Sequence, residues 1–158
     1  MESDTVHLPG TVNWDAPDSV PDKFKAEIVS INSSSDQYQA NNKLATTYDL
    51  APKYPDKLDI RVRTNNAPQE TRYEITNTQD SVFFERNNLT ANNLYIDTVD
   101  LPKGCYKFTL YDSEGDGLDF FANNDGFGSA RIFRADVGGF VTLKNFESNF
   151  GRRITQWF

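Results

Sequence analysis

The sequence has few of the residues that catalytic chemistry and disulfide cross-linking require. Its 158 residues include one histidine and one cysteine. A lone Cys105 cannot form a disulfide within the chain, and a lone His7 cannot support a Ser-His-Asp, Cys-His or histidine-rich zinc site. The sequence therefore predicts a chain that is not an enzyme. Cys105 is expected to be a small strand residue packed in the core, because free cysteines are usually buried.

Positive charge and long apolar runs are also scarce. Sixteen Lys and Arg residues stand against 23 Asp and Glu residues, giving a formal net charge of -7 at pH 7. This charge repels phosphate backbones and anionic lipid headgroups, so neither nucleic acid nor a membrane surface is an expected partner. No run of about 18 apolar residues is present, so no membrane insertion is expected. Cations and neutral ligands remain, and the chain is expected to be a monomer.

The residues that are plentiful favour strands joined by turns. Two segments alternate apolar and polar residues with a period of two: KFKAEIVSI at 23–31 and KLDIRVRT at 57–64. Similar patterns recur at 71–76, 81–85, 94–99, 105–111, 129–135, 139–146 and 153–158. Because no segment carries an apolar stripe of helical period, the sequence predicts an all-β protein. The expected architecture is an antiparallel β-sandwich of about nine strands with a jelly-roll-like path.

The pattern of strands and loops suggests one domain behind an N-terminal arm. Residues 1–22 are rich in proline and acids and lack periodicity, so they are interpreted as an arm or linker. Residues 23–158 are expected to form a single β-sandwich domain. The long polar stretch at 32–55 is interpreted as a covering loop, with a short strand near Leu44 to Leu50.

One loop concentrates negative charge. The stretch DSEGDGLDFF at 112–121 places Asp112, Glu114 and Asp116 at the first, third and fifth positions, with Gly117 at the sixth. This is the spacing of the first half of an EF-hand loop, in which alternate side chains turn towards Ca²⁺. The twelfth position is Asn123 rather than glutamate, and no helical pattern flanks the loop. The loop is therefore not an EF-hand, although its spacing still favours a cation.

Five acids share this loop without a single Lys or Arg. They are Asp112, Glu114, Asp116, Asp119 and Asp125. Acids held this close repel one another unless water or a bound cation offsets their charge. The sequence therefore predicts a calcium site formed by these acids and Asn123. The alternative is a solvated acidic turn, because Asp and Gly are common in turns. A glycosidase carboxylate pair is disfavoured, because such carboxylates face each other across a cleft.

Aromatic and amide side chains follow the acids directly. A calcium-organised loop could present Phe120, Phe121, Phe127 and Asn124 to a ligand such as a sugar. In one alternative, the phenylalanines are core residues at the end of the sandwich. In another, they form a contact with a neighbouring domain.

Several motifs together resemble a known accessory module. They are the strand entry at Leu101, Gly104, Cys105 and Tyr106, the Asp-x-x-Gly-Asp-Gly-Leu loop at 112–118, and the late Phe150 and Gly151. The upstream stretch at 61–75 also fits, so the likeness spans about the last 100 residues. The chain resembles a β-sandwich module of large secreted Bacteroidetes-type proteins, often peptidases and other hydrolases of the type IX secretion system.

The resemblance implies a non-catalytic, calcium-binding module of a secreted or cell-surface multi-domain protein. Its implied partners are an extracellular glycan or protein surface and the neighbouring domains of the parent protein. Two functions stay open. The module could bind carbohydrate or another extracellular ligand, or it could pack on a neighbouring hydrolase domain and stabilise it without a ligand of its own.

Overall fold

The computed structural model describes residues 23–29, 38–47, 50–136, 138 and 141–158. The predicted arm at 1–22, which includes His7, lies outside the described residues. Residues 30 and 31 of the first predicted strand and residues 139 and 140 of the eighth also lie outside them.

The described residues form ten strands and two single 3-10 turns at Gln39–Asn41 and Pro68–Glu70. In chain order the strands are β1 Lys23–Glu27, β2 Lys43–Thr47, β3 Lys57–Arg63, β4 Thr71–Asn77, β5 Val82–Arg86, β6 Leu94–Asp100, β7 Tyr106–Asp112, β8 Ser129–Arg134, β9 Thr142–Asn145 and β10 Arg153–Trp157. The predicted all-β fold is confirmed. The tenth strand is β2, which overlaps the short strand expected near Leu44.

The chain divides into two compact units between Leu50 and Ala51. In the first unit, β1 and β2 pair antiparallel, with Lys23 opposite Thr47 and Glu27 opposite Lys43. The β1–β2 pair forms a two-stranded sheet of its own. Strands β3 to β10 form the two larger sheets. The start of the sandwich domain at residue 23 stays a prediction.

The second unit contains two four-stranded antiparallel sheets with the orders β10-β7-β4-β5 and β6-β3-β8-β9. The chain changes sheet five times between β3 and β10, so most neighbours in sequence lie in opposite sheets. This alternation gives the path its jelly-roll-like character. It also makes β7 and β4 adjacent, with Thr71 opposite Asp112. The start of β4 and the end of β7 are thereby brought together.

The core follows from the period-two patterns. In β3, Leu58, Ile60 and Val62 are fully buried, whereas the polar residues between them face outward. These three pack in one cluster with apolar residues of both sheets, including Tyr73, Ile75, Phe108, Leu110, Ala130, Ile132 and Phe146. Burial of such side chains stabilises the fold by about 25 cal/mol for each Å² of apolar surface removed from water.

A buried polar network joins the two sheets. The Tyr73 hydroxyl of β4 donates a 2.6 Å hydrogen bond to Asp97 Oδ2 of β6. Arg86 of β5 donates from Nε to the same oxygen over 2.8 Å and pairs through its other nitrogen with Asp97 Oδ1. Both carboxylate oxygens of Asp97 therefore have partners. Burial and the hydrogen bond to Asp97 raise the pKa of Tyr73 above its ordinary value.

Cys105 is exposed, so the expectation that it packs in the core was wrong. It lies one residue before β7, and pairing with the C-terminal segment begins only at Tyr106, whose N–H donates to Phe158 O over 2.9 Å. Tyr106 is the residue that turns inward, at 5% exposure.

Candidate metal centre

The acidic loop is anchored where it connects β7 to β8. Leu118, in the middle of residues 113–128, is fully buried. Its N–H donates to Ser148 O over 2.7 Å, and its carbonyl accepts from Gly128 N–H over 2.6 Å. These bonds divide the segment into an acidic first half, near the end of β7, and an aromatic second half that returns to β8.

Glycines allow the first half to turn tightly. Gly115 and Gly117 have φ values of +92° and +76°, a region that side-chain-bearing residues rarely adopt. A Cβ on Gly117 would also lie 2.3 Å from the carbonyl oxygen of Ser148. The two glycines of the D-x-E-G-D-G stretch therefore allow the chain to turn tightly at this point.

Three carboxylates converge at the base of this turn. Oxygen atoms of Glu70, Asp112 and Asp116 all lie within 4.8 Å of one another. Asp112 ends β7 and Asp116 lies in the turn, whereas Glu70 belongs to the 3-10 turn before β4. A hydrogen bond of 3.1 Å from Ser113 N–H to Glu70 O holds the two segments together.

Each of the three carboxylates keeps one buried oxygen without a hydrogen-bond partner among the described residues: Glu70 Oε2, Asp112 Oδ2 and Asp116 Oδ1. The second oxygen of each aspartate is engaged. Asp112 Oδ1 accepts from Gly115 N–H over 2.5 Å, and Asp116 Oδ2 accepts from the Asn123 amide over 2.5 Å. Buried polar atoms normally have partners, so unmatched oxygens on adjacent acids are the arrangement that a hard cation satisfies.

The cluster is costly to charge without a cation. Burial and the negative charges of Asp112 and Asp116 raise the pKa of Glu70 to about 7. Glu114 and Asp125 contribute to the same rise. Burial also raises the pKa of Asp112, whose side chain is 2% exposed. A divalent cation would reverse this effect, because it favours the ionised carboxylates.

The six predicted ligands are arranged unequally. Asp112 and Asp116 belong to the cluster, and Asn123 supports it through its bond to Asp116. Glu114 and Asp119 are exposed and lie outside the three-carboxylate group, as does Asp125. The carbonyl of Asp125 instead accepts from Asn66 N–H over 2.7 Å. Direct coordination by Glu114, Asp119 or Asp125 stays a prediction.

The sequence-based prediction omitted Glu70. This residue lies 42 positions before Asp112 and outside the acidic loop. Its proximity depends on the pairing of β4 with β7, where Thr71 is opposite Asp112. Strand pairing between distant segments has no signature in a single sequence, so only the structure identifies the third carboxylate.

The aromatic half of the loop faces solvent. Phe121 is 89% exposed and Phe127 is 71% exposed, so neither is a core residue. Phe120 is partly buried, and its ring centroid lies 5.0 Å from that of Phe121. Asn124 is exposed, and its carbonyl accepts a 3.5 Å bond from the Asn66 amide.

A polar cleft of about 400 Å³ borders the carboxylates. Glu70 and Asp112 form part of its wall. Its other lining residues are Gln69, Thr71, Arg72, Asn87, Asn88, Tyr111, Ser113 and Arg152.

No family model, no curated protein and no solved structure matches this chain. Among the described residues, no helix is long and apolar enough to cross a membrane.

Proposed function

We propose that the chain is a non-catalytic, calcium-binding accessory module of a secreted multi-domain protein. Calcium bound by Glu70, Asp112 and Asp116 would fix the 113–128 loop on the sandwich. The loop would then present its aromatic side chains to an extracellular ligand, such as a carbohydrate. The observation that carries this proposal is the convergence of three carboxylates within 4.8 Å, each with a buried oxygen that has no partner in the described part of the chain.

The donor set suits calcium better than a transition metal. All candidate ligands are oxygen atoms, which hard cations prefer, and no His or Cys belongs to the group. The remaining coordination positions would be filled by main-chain carbonyls or water, as calcium's six to eight oxygen ligands allow. Magnesium requires a stricter octahedral geometry and should substitute poorly.

Presentation of a ligand site is supported by the exposure of Phe121 and Phe127. Large apolar patches on a surface commonly mark interaction sites. The two rings lie on the part of the loop that follows the carboxylates, so an ion that orders the first half would also limit movement of the second. This link between ion and aromatic residues is the functional core of the proposal.

A thermal titration tests the calcium part of the proposal. Calcium should raise the melting temperature of dialysed protein, EDTA should reverse the rise, and magnesium should reproduce little of it. Asp116→Ala should abolish the rise, whereas Phe121→Ala should keep it. An unchanged melting temperature in calcium and in EDTA would contradict the proposal.

A second candidate function is docking onto a neighbouring hydrolase domain. It is supported by further exposed apolar side chains on the sheet β10-β7-β4-β5. Trp157 is 43% exposed, Phe83 is 46% exposed and Val82 is 53% exposed. Substitution of Trp157 and Phe83 would then weaken binding to the parent enzyme, whereas substitution of Phe121 and Phe127 would not.

A further inference from the structure

The outer face of the sheet β6-β3-β8-β9 carries a cleft lined by arginines. The cleft has a volume of about 420 Å³. Its lining includes Arg61 and Arg63 of β3, Arg131 of β8, and the apolar side chains of Phe127 and Leu94. No acidic side chain is among the described residues that line it. This basic surface contrasts with the net charge of -7 on the whole chain.

The strand register brings two of these arginines together. In β3, Ile60 and Val62 turn into the core, so Arg61 and Arg63 face outward. In β8, Ala130 and Ile132 turn inward, so Arg131 faces outward on the same side. Arg61 and Arg131 are directly opposite each other across the two strands. Like charges in this position destabilise a sheet unless neighbouring groups offset them.

The three arginines differ in how far neighbouring groups offset their charge. Arg61 lies over the Phe133 ring at 4.5 Å and pairs with Asp59 over 3.3 Å. Arg131 donates from Nε to Asn145 Oδ1 over 3.0 Å, a neutral partner. Arg63 and Arg131 are both exposed. A guanidinium group binds carboxylate or sulfate oxygens through two parallel N–H donors, so the cleft is suited to an anion.

We propose that this cleft, which we call the arginine cleft, binds a negatively charged saccharide. Arg63 and Arg131 would pair with carboxylate or sulfate groups, and Phe127 would contact the apolar face of a sugar ring. Phe127 is 71% exposed and Leu94 is 45% exposed, so the apolar wall is accessible. The inference rests on the proposed function only for Phe127, because its position depends on the loop proposed to bind calcium. The arginines lie on strands, so their positions do not depend on that loop.

A saccharide fits this face better than a peptide or a nucleic acid. Extended peptides usually add to the free edge of a sheet, but β3 and β8 are the two inner strands of theirs. Their main-chain groups already pair with neighbouring strands on both sides. A nucleic acid carries a charge at every phosphate and would extend beyond the cleft over the remainder of this acidic chain, whereas a short saccharide can place its charged groups within the cleft. A charged saccharide needs only the outward side chains.

Calorimetric titration with matched oligosaccharides tests the ligand class. The probes are a short oligogalacturonate below gelling length, its fully methyl-esterified form, and a sulfated galactan oligomer, all in calcium. At least one charged probe should bind at least tenfold more tightly than the neutral methyl ester, with an affinity that falls as salt rises. The preferred charged probe separates a carboxylate source from a sulfate source. Equal binding of charged and neutral probes, or no binding at all, would overturn the proposal.

Charge-removing variants test the site. Arg63→Gln and Arg131→Gln should each lower affinity for the charged probe at least tenfold, whereas Arg153→Gln, at an exposed position of the other four-stranded sheet, should not. Arg131→Gln should leave the melting temperature unchanged or raise it, because it removes one of two opposed charges. Wild-type affinity in both cleft variants would overturn the assignment, as would equally tight binding of a polyglutamate peptide.

The same samples separate this inference from the proposed function. Each variant is also melted in calcium and in EDTA. If the calcium shift is absent in the wild type but the charged probe binds through Arg63 and Arg131, then the proposed calcium function fails and the arginine cleft stands. If the calcium shift is present but the arginine variants bind normally, the cleft assignment fails alone.

Discussion

Two regions of the sandwich bury an aspartate, and they satisfy it differently. Asp97 is 7% exposed and both of its oxygens are bound by Tyr73 and Arg86. Asp112 is 2% exposed, yet its Oδ2 has no partner among the described residues, and burial together with the negative charge of Asp116 raises its pKa. The protein itself supplies partners for both carboxylate oxygens of Asp97. The carboxylate of Asp112 lacks such a partner for Oδ2 among the described residues, which makes it the better candidate for a binding site.

Within these two regions, the largest effect is expected from removing Asp97, whose oxygens the protein itself satisfies. Asp97→Ala would leave Arg86 and Tyr73 without their shared acceptor, and loss of a buried charge partner costs about 3 kcal/mol of unfolding free energy. Because no cation is involved, chemical denaturation should give the same loss in calcium and in EDTA. Asp100→Ala, at an exposed position of the same strand, serves as the control and should have little effect. A loss for Asp97→Ala that calcium reverses would contradict the comparison.

The next largest effect concerns the calcium ion proposed to bind beside Asp112. At calcium concentrations 100-fold above the dissociation constant, the folded protein should gain about 2.7 kcal/mol. Glu70→Gln should remove most of this gain, because Glu70 belongs to the three-carboxylate cluster. Glu114→Gln should remove much less, since Glu114 is exposed and lies outside it. Denaturation of the two variants in calcium decides between them, and a larger loss for Glu114→Gln would favour the ligand set expected from the loop spacing.

Without calcium, Glu70→Gln is expected to have a smaller effect of opposite sign on the unfolding free energy. The pKa of Glu70 is about 7 in the folded chain against an ordinary value of 4.5. Because the folded pKa is raised, the stability that Glu70 contributes is fully present below pH 4.5 and is lost as pH rises through about 7.

In EDTA at pH 8, Glu70→Gln should therefore stabilise the protein, by on the order of 1 kcal/mol after allowance for solvent screening. Urea denaturation at several pH values between 5 and 8 measures this difference in unfolding free energy. A shift of one pKa unit corresponds to about 1.4 kcal/mol. The wild type should lose stability with rising pH more steeply than the variant. Parallel curves would contradict the assigned environment of Glu70.

The smallest expected effect concerns the exposed aromatic residues. Phe121→Ala should change the unfolding free energy by less than about 0.5 kcal/mol, because substitutions at exposed positions seldom do more. Its calcium gain should be retained in full. Denaturation of this variant beside Phe108→Ala, a fully buried phenylalanine of β7, gives the contrast. The core variant should lose about 3 to 5 kcal/mol. A comparable loss for Phe121→Ala would remove it from the proposed ligand site.

Much of the fold could be predicted because its strands are half buried. In β3, the alternation of Leu58, Ile60 and Val62 with polar residues matches the observed burial residue by residue. Strand ends were harder to predict: among the described residues of the strand expected at 139–146, β9 covers Thr142–Asn145. Cys105 shows the same limit, since its exposure depends on pairing that starts one residue later.

The candidate site could be predicted only where it is local. Asp112 and Asp116 are four residues apart, and the glycines between and after them indicate a turn. Glu70 and the opposed arginines Arg61 and Arg131 depend on which strands become neighbours. That arrangement is decided by packing of the whole sandwich, so no local pattern of charge or periodicity indicates it.

A crystal structure of the protein grown in calcium, with anomalous data to locate the ion, tests the calcium site most directly. We expect an ion at about 2.3 to 2.6 Å from oxygens of Glu70, Asp112 and Asp116, which is the usual calcium–oxygen distance. In crystals of a variant with Glu70→Gln, Asp112→Asn and Asp116→Asn, the anomalous peak of the ion should be absent. An ion bound elsewhere in the 113–128 loop, or no ion at saturating calcium, would contradict the assignment.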